Sequence, residues 1–76
     1  MTFDLVTGSR YVATLRLGFF EGVASNDMVA AKLRDAGFTD VSVTGSGRDR
    51  MAGGEWGGPS QTVELPEQIT HVKVIA

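Results

Sequence analysis

The stretch SNDMVAAKLRDAGFTDVSV, from Ser25 to Val43, decides the fold. Its first residues carry the chemistry of a helix start. Ser25 or Asn26 can accept a hydrogen bond from the free N–H groups of the first helical turn. Asp27 then places a negative charge at the positive end of the helix dipole. The sequence therefore predicts a helix that begins at this point.

The residues after the cap predict where this helix packs and where it ends. Three apolar residues recur at i, i+4 and i+7 and so share one helical face: Val29, Leu33 and Ala36. Gly37 suits the left-handed position that ends many helices, and Phe38 can fold back onto the last turn. Val41 and Val43 then alternate with polar residues, which predicts a half-buried strand. Because one short helix cannot bury its apolar face alone, a sheet must lie beneath it.

Length and composition limit the classes of protein to which this chain can belong. Its 76 residues suffice for one small domain, and 42% hydrophobic content argues against disorder. The net charge of −2 makes nucleic acid an improbable partner, because nucleic-acid binders use Lys and Arg to neutralise phosphates. There is no cysteine, no apolar run of about 20 residues and no basic, apolar leader. We therefore expect a soluble, cytoplasmic protein that does not enter a membrane.

A second strand is predicted before the helix, from Arg10 to Leu17. Its alternate residues form an apolar face directed at the core, namely Tyr11, Ala13, Leu15 and Leu17. Together with the stretch above it makes a β-α-β unit, whose two strands either pair directly in parallel or flank a third strand. Residues 1–9 include a weakly alternating segment, Thr2 to Val6, that is either an edge strand or a loose arm.

The C-terminal part of the chain predicts a β-hairpin. Gln61 to Leu65 and Thr70 to Ile75 both alternate, and a turn containing Pro66 separates them. The predicted fold is therefore α+β: a β-α-β unit, a long glycine-rich loop and a C-terminal hairpin, with one helix packed on a mixed sheet of three to five strands.

The segment between the two halves, from Gly45 to Ser60, holds six of the ten glycines. Glycine weakens strands, so the segment is predicted to be a flexible loop, and long loops tend to be functional or disordered. Its binding candidates are Arg48, Arg50 and Trp56, which could clamp a base, a sugar or an acidic segment. The alternative is that Trp56 folds back to cap the core while the arginines are solvated.

Other chemistry is sparse in the sequence. Gly45-Ser46-Gly47 does not lead into a helix, as phosphate-binding loops do. His71 has neither a cysteine nor a second histidine to complete a metal site. No catalytic residue, metal ligand or cofactor site is therefore predicted. Phe19 and Phe20 form a candidate interface, with core packing under the helix start as the alternative.

The first half of the chain resembles the first half of SPOR domains, small bacterial peptidoglycan-binding modules. The resemblance rests on Tyr11-Val12 at a strand start, the alanine-rich helix, Ala36-Gly37-Phe38 and Val41 with Val43. It implies the β-α-β order. The second helix of that family has no room in the glycine-rich segment, so no function is carried over from it.

Three functional hypotheses follow from the sequence. The first is a small non-enzymatic binding or assembly module of bacterial or phage type that uses the Gly45–Ser60 segment to contact another protein. The second is a structural subunit that associates with itself through a sheet edge. The third is a small enzyme or binder of a phosphorylated or sugar ligand. The sequence leaves the oligomeric state open.

Overall fold

The computed structural model describes residues 2–18 and 24–75, and every structural statement below refers to them. This part of the chain contains one helix and six strands. In chain order they are β1 (Thr2–Leu5), β2 (Arg10–Arg16), α1 (Asn26–Ala36), β3 (Phe38–Ser46), β4 (Asp49–Trp56), β5 (Gln61–Glu64) and β6 (Ile69–Val74). One helix is packed on two sheets, so the α+β class is confirmed.

All strand pairs in the described residues are antiparallel, which corrects the prediction of a mixed sheet. The larger sheet has four strands in the order β3-β4-β2-β6, and the smaller one pairs β1 with β5. The two strands of the predicted β-α-β unit therefore do not pair with each other. They flank β4, which is the second of the two arrangements that the sequence left open.

The strand between them is the segment predicted to be a loop, and that prediction is wrong. β4 runs through the middle of Gly45–Ser60, and inward positions 50, 52, 54 and 56 are buried. Gly54 is one of these buried positions. A Cβ atom at Gly54 would lie 3.4 Å from Cγ2 of Val41 and 3.5 Å from Cβ of Phe38, which is ordinary van der Waals contact.

The predicted C-terminal hairpin is also wrong, although both of its strands exist. The turn forms as expected, with the N–H of Ile69 donating to the carbonyl of Pro66 over 3.0 Å. The two strands then diverge, because β5 pairs with β1 and β6 pairs with β2. The segment Thr2–Val6 is therefore a paired strand. Alternation predicts which side chains share a face of a strand, but it does not predict which strand lies alongside.

The helix begins and ends as the sequence predicts. Ser25 is the N-cap, and its hydroxyl accepts a hydrogen bond from the N–H of Met28. Gly37 is the C-cap with φ of 121°, and its N–H bonds the carbonyls of Leu33 and Arg34. A residue with a Cβ is strained at this φ, which explains the glycine stop.

The core consists of two clusters on the inner face of the four-stranded sheet. One lies beneath β1 and β5 and contains Leu5, Tyr11 and Trp56, with Phe3, Phe38, Val63 and Val72 packed around them. The other lies beneath α1 and contains Leu15, Leu17 and Ala52, with Ala13, Val29, Leu33, Val43 and Ile69 around them. No large side chain among the described residues is completely buried.

Gly37→Ala should destabilise the protein by about 2–4 kcal/mol. The new Cβ adopts a strained φ and comes within 3.0 Å of the buried Trp56 ring. Gly8→Ala is the matched control, since Gly8 also has positive φ (84°) but nothing lies within 4 Å of the added Cβ. The free energy of unfolding of this control should fall by only about 1–2 kcal/mol. Urea unfolding followed by circular dichroism measures both, and equal losses would contradict the role given to the Trp56 contact.

Candidate functional site

Trp56 belongs to the core and is only 4% exposed. Its indole N–H donates to the carbonyl of Pro59 over 2.7 Å, and its ring meets Phe38 edge-on at a centroid distance of 4.9 Å. The ring also lies against Gly37 and Gly58. These contacts match the alternative in which Trp56 folds back to cap the core, since they use both its polar N–H and much of its ring surface.

Arg50 is also buried, at 5% exposure, and fixes the start of the helix. Its Nε donates to the carbonyl of Gly47, one Nη donates to Oδ1 of Asn26 over 2.8 Å, and the other donates to the carbonyl of Ala24 over 2.7 Å. The amide of Asn26 in turn donates to the carbonyl of Gly45. The guanidinium therefore joins the β3–β4 turn to the first residues of α1.

The three predicted binding residues do not form one exposed site. Arg48 is exposed, and its Nε donates to the carbonyl of Leu17 over 3.1 Å. Arg50 and Trp56 lie at opposite ends of β4 and bond within the fold. Their role in binding stays a prediction, but they lack the mobile loop that motivated it. Phe19 and Phe20 lie outside the described residues.

An apolar cavity of about 390 Å³ lies between the two core clusters. We call it the inter-sheet cavity. It is bounded by the four-stranded sheet, by α1 and by the β1–β5 pair, and its walls are almost entirely carbon. The side chains and backbone that line it include members of both clusters: Phe3, Leu5, Tyr11, Ala13, Leu33, Phe38, Val41, Ala52, Gly54, Trp56, Val63, Ile69 and Val72. Every strand of the described chain contributes to it.

The small residues at the base of the cavity keep it open. Ala13 and Ala52 face inward from β2 and β4, the two central strands, and are paired directly across them. Ala13 is only half-buried despite this central position. Inward positions of central strands are usually occupied by larger apolar residues. The core is therefore left unfilled where the helix and the β1–β5 pair do not meet.

A second apolar cavity, of about 410 Å³, lies alongside α1. It contains the second cluster's Leu15 and Leu17 and reaches Met28 on the helix. Four residues line both cavities and mark where they adjoin, namely Lys32, Leu33, Pro66 and Ile69. The two cavities thus form one apolar trough along the helix.

Among the described residues, the charged side chains that line the trough are Lys32 and Glu64. Both are exposed, so they lie at its rim. The hydroxyl of Tyr11, which also lines the cavity, accepts a hydrogen bond from the N–H of Val6 over 2.8 Å. In residues 2–18 and 24–75, no three His, Asp or Glu side chains are grouped closely enough to hold a metal ion. The arrangement is suited to burying hydrocarbon.

Both outer edges of the four-stranded sheet carry β-bulges. On β3, Asp40 and Val41 together oppose Gly54, and Asp40 has positive φ. On β6, the register with β2 shifts by one residue at Thr70. Bulges of this kind disfavour pairing of a sheet edge with another chain.

The inter-sheet cavity was not predicted from the sequence. It arises from the pairing of β4 and from the separation of β5 and β6, both of which the sequence analysis assigned differently. A usable signal was the alternation of Arg50, Ala52 and Trp56, which repeats the inward pattern of a strand within the glycine-rich segment.

The described part of the chain contains no helix long and apolar enough to cross a membrane. Comparisons with family models, with curated proteins and with solved structures find no match to this chain. The site is therefore interpreted from its own geometry.

Arg50→Met should lower the free energy of unfolding by about 2–4 kcal/mol. It removes the donors that satisfy the carbonyls of Gly47 and Ala24 and the amide oxygen of Asn26. Arg16→Met is the control, because Arg16 makes an exposed ion pair with Asp49 and should lose at most about 1 kcal/mol. Urea unfolding measures both variants. If both variants lost the same small amount of unfolding free energy, Arg50 would not be holding the start of the helix.

Proposed function

We propose that this protein is a small non-enzymatic binding module that takes up the apolar part of a small molecule in the inter-sheet cavity. The observation that carries the proposal is the unfilled space of about 390 Å³ between two incomplete core clusters. Its volume falls in the range of about 300–1,000 Å³ that is typical of ligand sites. Hydrocarbon placed there would gain from burial against both clusters.

The shape of the surface favours a small molecule over a docked protein. The cavity is recessed between the four-stranded sheet on one side and α1 and the β1–β5 pair on the other. Of the most exposed large apolar residues of the described chain, Met28 lines only the second cavity, and the other four line neither cavity: Val6, Met51, Val74 and Ile75. A docking surface for another protein usually includes such residues around its centre. Their absence from the cavity walls points to an occupant that fits inside the recess.

The same geometry bears on self-association through a sheet edge. β3 and β6 are the outer strands of the larger sheet, and each carries a bulge. β6 also presents Lys73, and lysine on an edge strand opposes pairing with a like strand. The β1–β5 pair has only four residues in each strand. These features make edge pairing a weaker basis for function than the cavity.

The chemistry of the walls supports binding rather than catalysis. The titratable side chains that line the inter-sheet cavity are Tyr11, Lys32 and Glu64. The Tyr11 hydroxyl already accepts a hydrogen bond, and the two charged groups lie at the exposed rim. General acid–base catalysis needs such groups placed beside a bound polar substrate. An apolar recess supplies affinity without that chemistry.

Straight-chain alcohols should bind in the inter-sheet cavity. The measurement is a titration of the full chain with hexanol, octanol and decanol, followed by amide and methyl NMR shifts. Burial of about 0.8 kcal/mol per methylene predicts about fourfold tighter binding for each added carbon until the cavity is filled. The shifts should concentrate at Leu33, Phe38 and Val72, which line the cavity.

Ala13→Leu should lower alcohol affinity at least fivefold, because its side chain occupies the cavity base. It should also stabilise the free protein by about 1–2 kcal/mol through added apolar burial. Thr14→Leu is the matched control, since Thr14 is the next residue on β2 and points to the other face. Val72→Phe, on the outer strand β6, gives a second test if Ala13→Leu does not fold.

Five results would overturn the proposal. The first three are an absence of saturable binding, an affinity independent of chain length, and equal losses of alcohol affinity in Ala13→Leu and Thr14→Leu. Shifts centred on the outer face of the sheet, around Met51, would place the binding elsewhere. If the mass of the protein without alcohol rises with its concentration, and the NMR signals of the cavity residues shift along with it, the occupant is a second copy of the chain.

A further inference from the structure

The trough formed by the two cavities has a single junction, and Lys32 lies there. Lys32 and Leu33 line both cavities from the helix side, while Pro66 and Ile69 line both from the opposite side. Apolar walls extend from this junction in both directions, toward Trp56 in one cavity and toward Leu17 in the other. An occupant of either cavity can therefore place one end close to Lys32.

The ammonium group of Lys32 has no hydrogen bond or ion pair with the residues that the structure describes, whereas the guanidinium groups of Arg10 and Arg16 pair with Asp40 and Asp49. Glu64, the other charged residue among the described walls, lines only the inter-sheet cavity and has an interaction within the protein. Lys32 is therefore the charged group at the junction of the two cavities, and its charge is positive although the net charge of the chain is −2.

The form of the lysine side chain suits this place. Its four-carbon stem can lie along apolar walls while the ammonium group stays in water. Lys32 is exposed and also lines both cavities, as such an arrangement requires. An anionic group at the mouth of the trough can pair with the ammonium group without being buried, so it avoids a large desolvation cost.

We propose that the ligand is a single-chain amphiphile with an anionic head, such as a long-chain alkyl carboxylate. This inference rests on the proposed function and adds the ligand class. The head pairs with Lys32 at the junction, and the hydrocarbon chain lies in the inter-sheet cavity. A neutral ligand leaves the ammonium group without a partner. A cationic ligand whose head lies at the junction meets Lys32 as a like charge.

The test compares three probes of equal chain length: decanoate, decanol and decyltrimethylammonium. Each is titrated into the full chain below its micelle concentration at low salt. The measured quantity is the ratio of the decanol Kd to the decanoate Kd. Lys32→Met should lower this ratio about two- to fivefold, which is the size expected for an exposed ion pair. Decanol affinity itself should change little, because methionine keeps the apolar stem.

Lys73→Met is the matched control. It makes the same substitution and the same change in net charge, but Lys73 lies on β6 and does not line either cavity. The ratio should stay at the wild-type value in this variant. Added salt should lower the ratio in the wild type and in Lys73→Met, and should leave it unchanged in Lys32→Met.

The outcomes separate this inference from the proposed function. If none of the three probes binds, the proposed function fails and this inference fails with it. If decanol and decanoate bind and their ratio is the same in the wild type and in Lys32→Met, only the anionic ligand class is wrong. The anionic ligand class is also wrong if decyltrimethylammonium binds most tightly of the three probes. It is equally wrong if Lys73→Met lowers the ratio of the decanol Kd to the decanoate Kd as much as Lys32→Met does. Binding to phosphatidylglycerol vesicles without binding of free decanoate would overturn it in favour of a membrane surface.

Discussion

The arrangement of the molecule depends on β4, because this strand holds both ends of the helix. At its start, Arg50 bonds Ala24 and Asn26 at the beginning of α1. At its end, the Trp56 ring packs on Gly37, where the helix stops, and the N–H of Gly57 donates to the Gly37 carbonyl over 3.0 Å. The six residue steps from Arg50 to Trp56 span roughly 20 Å, and the eleven-residue helix spans roughly 17 Å, so the two lengths match.

This attachment leaves part of the sheet uncovered. With both ends fixed to β4, α1 packs chiefly against β3, at one side of the larger sheet. The β1–β5 pair covers the cluster around Tyr11. With one helix and one short strand pair on this face, the described chain leaves the inner surface between them open. The inter-sheet cavity lies over that surface, to which all four strands of the larger sheet contribute, so it follows from where the helix is held.

The sequence predicts local structure well and strand pairing poorly, for a physical reason. The cap at Ser25, the stop at Gly37 and the inward face of β2 follow from interactions within a few residues. The partner of β5 or of β6 depends on contacts between residues far apart in the chain, which alternation does not encode. Composition also misled at β4, where glycine content predicted a loop although Arg50, Ala52 and Trp56 alternate as in a strand. The inter-sheet cavity forms only when all of these strands pair as they do, so it could not be predicted from the local sequence pattern.

The cavity also connects stability to binding. A domain of this length has a free energy of unfolding of roughly 4–11 kcal/mol. Ala13 and Ala52 bury less apolar surface than larger side chains would bury at the same positions. The free energy of unfolding of the free protein is therefore lower than it would be with a filled core. A ligand that occupies this space restores the missing contacts, and at about 100 times its Kd it adds about 2.7 kcal/mol. Hydrocarbon bound there would serve as the missing part of the core, so the same atoms that provide affinity would also stabilise the fold.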